Sequence, residues 1–203
     1  MRPRLPFALA VLVVLPGTVT AGGLTPRVLA DFDAATTGPV GAEALSRPPS
    51  TATARLVPEN GGQAVEFSGR QTLPGMAGVR ITFQDARERP LVVDGARYDY
   101  LTFRMRATGG ASRIQVRIAD SANPKNEPID AGDVTRYLPE GLSGDWRQVA
   151  VPLGALGLNR KTLAGVTFLV LDPVTFTFAV DDIALKRDPE DSLPTPKRRA
   201  GVP

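Results

Sequence analysis

Four stretches of this chain alternate apolar and polar residues with a period of two, a pattern that suits a β-strand buried on one face and does not suit a helix. They are Tyr98-Asp-Tyr-Leu-Thr-Phe-Arg-Met-Arg, Arg113-Ile-Gln-Val-Arg-Ile-Ala-Asp, Gly144-Asp-Trp-Arg-Gln-Val-Ala-Val-Pro-Leu and Phe178-Ala-Val-Asp-Asp-Ile-Ala-Leu-Lys. Leu101, Phe103 and Met105 share one face of the first. Ile114, Val116 and Ile118 share one face of the second, and Val149, Val151 and Leu153 one face of the third. Each buried side chain of this kind contributes about 1.5–3 kcal/mol, so every such strand is anchored by several kcal/mol of apolar burial. A series of short strands with Gly and Pro turns and little helical pattern predicts an all-β sandwich or barrel.

The rest of the chain fills in around these strands. Val28-Leu-Ala-Asp-Phe-Asp reads as an opening strand, and Ala64-Val-Glu-Phe-Ser and Gly78-Val-Arg-Ile-Thr-Phe-Gln as further alternating ones. Thr36 to Arg55, rich in Thr, Ala, Pro, Gly and Ser, reads as a long loop. Gly154 to Gly165 reads as an irregular or helical connection. Val166-Thr-Phe-Leu-Val-Leu is apolar on both faces, as expected of a central strand covered on both sides. The segment from Arg187 to Pro203 is charged and Pro-rich without apolar period, and reads as a disordered tail.

The first 21 residues read as a secretory signal peptide. Arg2 and Arg4 precede an apolar run, Leu5 to Leu15, too short to span a bilayer, and Val19-Thr20-Ala21 supplies the small residues of a cleavage site. That predicts a secreted or periplasmic protein with one domain over residues 22–186. Without Arg2 and Arg4, the 24 basic and 21 acidic residues become 22 and 21, a balance of +1. Nothing in that balance points to nucleic acid, which selects a clustered basic surface. The chain has no Cys and no His, which leaves no disulfide, no lipid-anchoring Cys, no imidazole-dependent triad and no ordinary zinc site. A second apolar span is also missing, so no membrane span is expected after signal removal.

In their order, the four strand segments resemble the galactose-binding-domain-like β-sandwich, the jelly roll used by many bacterial carbohydrate-binding modules. The resemblance covers about Val28 to Lys186. It implies a binding module with no chemistry of its own. It also implies core packing for Trp146, within the strand signature Gly144 to Leu153. By residue match it implies a structural calcium at Asp33 and Asp181, the acidic residue after the opening aromatic and the first Asp of the last-strand pair. Backbone carbonyls would complete such a site. The residues themselves allow another arrangement, in which these carboxylates accept backbone N–H groups or pair with Arg.

Phase along the last strand adds an independent expectation. Phe176, Phe178 and Val180 occupy even positions, and Ile183 and Leu185 odd ones. One face can hold both sets only if an extra residue is inserted, which predicts a β-bulge at Asp181-Asp182. Candidate ligand contacts lie elsewhere. Tyr137, in a loop-rich stretch, is a stacking candidate or an edge-of-core residue. Asn123 and Asn126, after Ala119, are suited to sugar hydroxyls or to turns. The outward sets Arg80/Thr82/Gln84, Thr102/Arg104/Arg106 and Arg113/Gln115/Arg117 would cluster guanidinium groups if their strands are neighbours, and Arg104 and Arg117 would then bind carboxylates of an acidic glycan.

Two function classes follow. One is an exported, non-catalytic carbohydrate-binding module, with acidic polysaccharides as its ligand; the other is a periplasmic or cell-surface sandwich that docks a protein partner, which a contiguous apolar patch would mark. Trp and Tyr, the aromatics suited to a sugar-binding surface, are few, one Trp and three Tyr. An enzyme is disfavoured. A glycosidase needs two carboxylates across a cleft, and consecutive strand residues such as Asp181 and Asp182 are expected to point to opposite faces.

Overall fold

The computed structural model describes residues 24–30, 32, 41–59, 62–85, 89–110, 113–123 and 127–190. The signal-peptide segment and the tail from 191 lie outside these residues, as do Asp33 and Asn126. Among the described residues the regular structure is eleven β-strands and short 3-10 turns. Among the described residues no helix is long and apolar enough to cross a membrane.

The strands are β1 (Arg27–Ala30), β2 (Ala42–Arg47), β3 (Thr51–Glu59), β4 (Gly62–Arg70), β5 (Met76–Thr82) and β6 (Tyr100–Gly109), followed by β7 (Ile114–Asp120), β8 (Ile129–Asp133), β9 (Arg147–Pro152), β10 (Leu163–Val170) and β11 (Thr175–Lys186). They form two antiparallel sheets. The first runs β3-β4-β11-β6-β9, with β1 also paired to β11. The second runs β2-β5-β10-β7-β8. One edge of β11 pairs with β6 along its length, and the other is shared between β4 at Thr175 to Val180 and β1 at Ile183 to Leu185.

The alternating residues close the core between the sheets. Leu101, Phe103, Met105, Ile114, Val116, Ile118, Val149, Val151, Val166, Phe168 and Val170 are all buried. Phe103 meets Phe168 of the opposite sheet edge to face, with ring centroids 5.0 Å apart. As its two-sided apolar sequence predicts, β10 is the central strand of the second sheet.

The bulge also sits where the phase breaks. Pairing between β11 and β6 shifts between Asp181 and Ala184, and Asp182 takes φ +52°, in the left-handed region that Asp tolerates better than most residues. The inserted residue lets Phe176, Phe178 and Val180 share the buried face with Ile183 and Leu185.

Three expectations change. The long loop expected from Thr36 to Arg55 is largely strand, since β2 and the start of β3 lie within it. Both are edge strands of different sheets, joined around Pro48-Pro49. Their inward residues are small: Ala44 faces Val79, and Ala54 faces Phe67. Ala and Thr alternate with a weak apolar signal, so the period was hidden. Second, β8 lies just before Tyr137, in a stretch expected to be rich in loops. Third, the segment from Arg187 does not leave the domain at once, because the Pro189 carbonyl accepts bonds from Gln148 and Lys186.

Candidate functional site

The outer face of the first sheet carries a concentration of half-buried charge around the chain's single Trp. Period-two geometry dictates which residues stand there. With Leu101, Phe103 and Met105 inward, Arg104 and Arg106 of β6 point outward. With Phe178 and Val180 inward, Asp181 of β11 does too, and it sits opposite Arg104 in the ladder. Gln148 of β9 flanks Arg104 on the other side.

The bulge then adds a second carboxylate. Arg104 Nη2 donates to Asp181 Oδ2 at 2.7 Å, and its Nε lies 2.6 Å from Asp182 Oδ2. One guanidinium is thus held by two consecutive carboxylates. The expectation that Asp181 and Asp182 point to opposite faces is therefore corrected: the inserted residue and the positive φ of Asp182 bring both to the outer side. They stand on one wall and share one Arg, which is not the arrangement of two carboxylates facing across a scissile bond.

Asp181 is almost fully buried, and its carboxyl is pushed up from 3.8 to about 6. Burial is the main cause, and the Asp182 charge adds to it. The Asp182 N–H, donating to Asp181 Oδ1 at 2.8 Å, and Arg104 pull the other way. A short ion pair alone would lower the value; here a single guanidinium is divided between two carboxylates and does not offset desolvation.

Trp146 completes the face. Arg104 Cζ lies 5.2 Å and Arg106 Cζ 4.9 Å from its ring centroid, within cation–π range. The residue is half-buried, and its indole N–H is buried without a hydrogen-bond acceptor among the described residues. Core packing of Trp146 is thus corrected. Residue 146 has the parity of Gln148 and Ala150, opposite to Val149 and Val151, so it belongs outside. The signal was present in the alternation, but the strand signature outweighed it.

Arg106 Nη2 also pairs with Glu59 Oε2 at 2.9 Å. Between β6 and β3 lie β11 and β4, so a flat sheet would separate the two backbones by about 14 Å at roughly 4.8 Å per strand. The bond therefore draws the end of the β3–β4 hairpin over the face. Lys186, buried at the other end, donates to Gln148 Oε1 at 3.2 Å.

The residues singled out from sequence do not form one surface. Arg104 is on the first sheet, whereas Arg117 stands on β7 of the second. Tyr137, after the 3-10 turn Val134–Arg136, packs at the core edge and donates its hydroxyl to the Ala131 carbonyl. Asn123 spans the adjacent loop by donating Nδ2 to the Glu127 carbonyl at 2.7 Å. Asn126 is outside the described residues. Of the expected calcium pair, Asp181 accepts from Arg104 at Oδ2 and from the Asp182 N–H at Oδ1, and Asp33 lies outside the described residues. Glu59, Trp146 and Asp182, none of them singled out as ligand contacts, are the residues that the fold adds to Arg104.

No family model and no curated protein matches the sequence. Solved structures do match the fold. A family 11 carbohydrate-binding module from Clostridium thermocellum, in complex with a β-1,3-1,4-mixed-linked tetrasaccharide, aligns with TM-score 0.62 and 15% identity over 80% of this chain and 96% of its own. The family 30 module of a cellulosomal cellulase from the same organism aligns with TM-score 0.62 and 16% identity, covering 83% of this chain and all of the module. A β-1,2-glucanase from Parabacteroides distasonis aligns with TM-score 0.62 and 18% identity over 79% of this chain and 25% of the enzyme. The chain thus has the jelly-roll β-sandwich fold of these modules.

Proposed function

We propose that the protein is an exported, non-catalytic carbohydrate-binding domain, and that polysaccharide binds to the outer face of the first sheet. One observation carries this reading: Trp146 lies outside the core, beside Arg104 and Arg106, on a face whose polar groups are planar and half-buried. A pyranose has apolar C–H faces and pairs of hydroxyls around its rim. An indole ring suits the former, and carboxylate, guanidinium and carboxamide groups suit the latter. The fold shared with modules that include one bound to a mixed-linked tetrasaccharide supports the same reading.

Charge on this face favours a neutral chain over the acidic polysaccharide expected from the outward Arg sets. Arg55 is paired with Glu66, Arg104 with Asp181 and Asp182, and Arg106 with Glu59. An acidic sugar would have to compete with each of these carboxylates. Secretion or periplasmic export rests on the N-terminal sequence pattern.

Affinity electrophoresis in a mixed-linked β-1,3-1,4-glucan tests the site. The wild-type protein should be retarded, and Trp146→Ala should weaken binding about tenfold or more, a loss of about 1.4 kcal/mol. Equal retardation of wild type and Trp146→Ala would remove this face from the function. Exposed large apolar side chains among the described residues are Val28, Leu73, Met76 and Val92, of which Leu73 lies in the β4–β5 connection and Met76 begins β5. Loss of retardation on every neutral glycan would move attention to a protein partner.

A further inference from the structure

We propose that the outer face of the second sheet is a separate recognition surface for a carboxylated polysaccharide, centred on Arg80 and Arg117. It lies on a different sheet from the Trp146 face and does not depend on that reading. In the second sheet the inward residues are Val79 and Ile81 of β5, Phe168 of β10, and Val116 and Ile118 of β7. Arg80, Thr167 and Arg117 therefore point outward. The ladders place them in one row, with Thr167 opposite Arg80 on one side and Arg117 on the other. Two strand spacings put the Arg backbones about 10 Å apart.

Between them the floor is low. Thr167 is 4% exposed although it faces outward, as expected where long Arg stems lie along the sheet on both sides. In the next row Gly165 stands between Thr82 and Ala119, and on the other side Gly78 lies next to Leu169. On the first side the flanking row, Gly165 and Ala119 beside Thr82, is low and gives an extended chain an approach to the guanidinium groups, whereas on the second the Leu169 side chain covers Gly78.

The charges here are arranged differently from those of the first sheet. Arg117 has no carboxylate partner among the described residues, and its Nε donates to Gln115 Oε1 at 2.9 Å. Arg80 has a single loose pair, 3.7 Å from Glu43 Oε2, with both side chains more than half exposed. Such a pair is worth little and is readily exchanged. The neighbouring acids are turned into local structure instead. Asp130 accepts from the Gly132 N–H and from Gln115 Nε2, and Asp133 from the Thr135 N–H and Arg113 Nε. The centre of the face thus holds two guanidinium groups able to accept carboxylates in paired geometry, with the engaged acids at its edge.

Polygalacturonate, a linear polyuronate, is the probe for affinity electrophoresis of the full chain, with a neutral mixed-linked β-glucan run in parallel. Wild type should be retarded by polygalacturonate at about 0.01 M salt and much less at about 0.15 M. Arg80→Gln with Arg117→Gln should weaken that binding at least tenfold while leaving the melting curve and glucan retardation unchanged. Trp146→Ala should leave polygalacturonate binding unchanged. Three outcomes overturn the proposal: no retardation of wild type by polygalacturonate, equal retardation of the double variant, or loss on Trp146→Ala instead. The glucan arm reports on the Trp146 face alone, so failure of one face is distinguishable from failure of the other.

Discussion

Replacing Asp181 with Asn should remove a pH-dependent loss of stability that the fold builds into this position. The carboxyl titrates near 3.8 in an ordinary environment and near 6 in the folded protein. Because the folded value is raised, the native state binds the proton more tightly than the unfolded chain does. The stabilisation from that proton is complete below about pH 4 and is lost as pH rises through 6. A difference of 6 − 3.8 = 2.2, at about 1.36 kcal/mol per unit, corresponds to about 3 kcal/mol. Coupling to Asp182 and Arg104 makes about 2–3 kcal/mol the working expectation. Asn keeps an oxygen for the Asp182 N–H but cannot ionise. Urea unfolding of both proteins between pH 4 and pH 7.5, followed by fluorescence of the single Trp146, measures the effect. Subtracting one protein from the other cancels the remaining acids. The stability of wild type relative to Asp181→Asn should fall by about 2–3 kcal/mol across that range. Parallel curves, or a relative gain for wild type with rising pH, would refute the reasoning, because they would mean that the Arg104 ion pair outweighs desolvation.

Two further outcomes follow from the packing and from the Asp181 arrangement. Phe103→Ala, which empties a buried site against Phe168, should cost about 3–5 kcal/mol in denaturant unfolding, and a cost below about 1 kcal/mol would mean that the sheets do not pack there. Melting curves in excess calcium and in chelator should coincide, since Asp181 is already engaged by Arg104 and a backbone N–H; a rise with calcium that Asp181→Ala abolishes would restore the metal expected from the resemblance.

Much of the fold was legible along the chain because burial on one side of a strand writes itself as alternation. Phe103, Val116 and Val151 could be placed in the core from parity alone, and the broken parity around Asp181 located the bulge. The same rule gives the outward position of Trp146, although the strand signature implies core packing. Edge strands β2 and β3 were less legible: they pair on one side and bury mostly small residues, so tertiary pairing rather than apolar content makes them strands.

What the sequence by itself determined is which side of each strand a residue occupies, since a pleated backbone turns alternate side chains to opposite faces whatever the strand pairs with. Only the tertiary structure decided which strands are neighbours. Arg104 and Arg117 have the same outward parity, yet one joins Asp181, Asp182 and Trp146 on the first sheet, and the other shares the second sheet with Arg80. Strand order arises from contacts between segments far apart in the chain, such as Arg104 with Asp181, and no local pattern encodes it. The bulge shows the same division: its place follows from phase, but that both carboxylates meet one guanidinium depends on β6 lying beside β11.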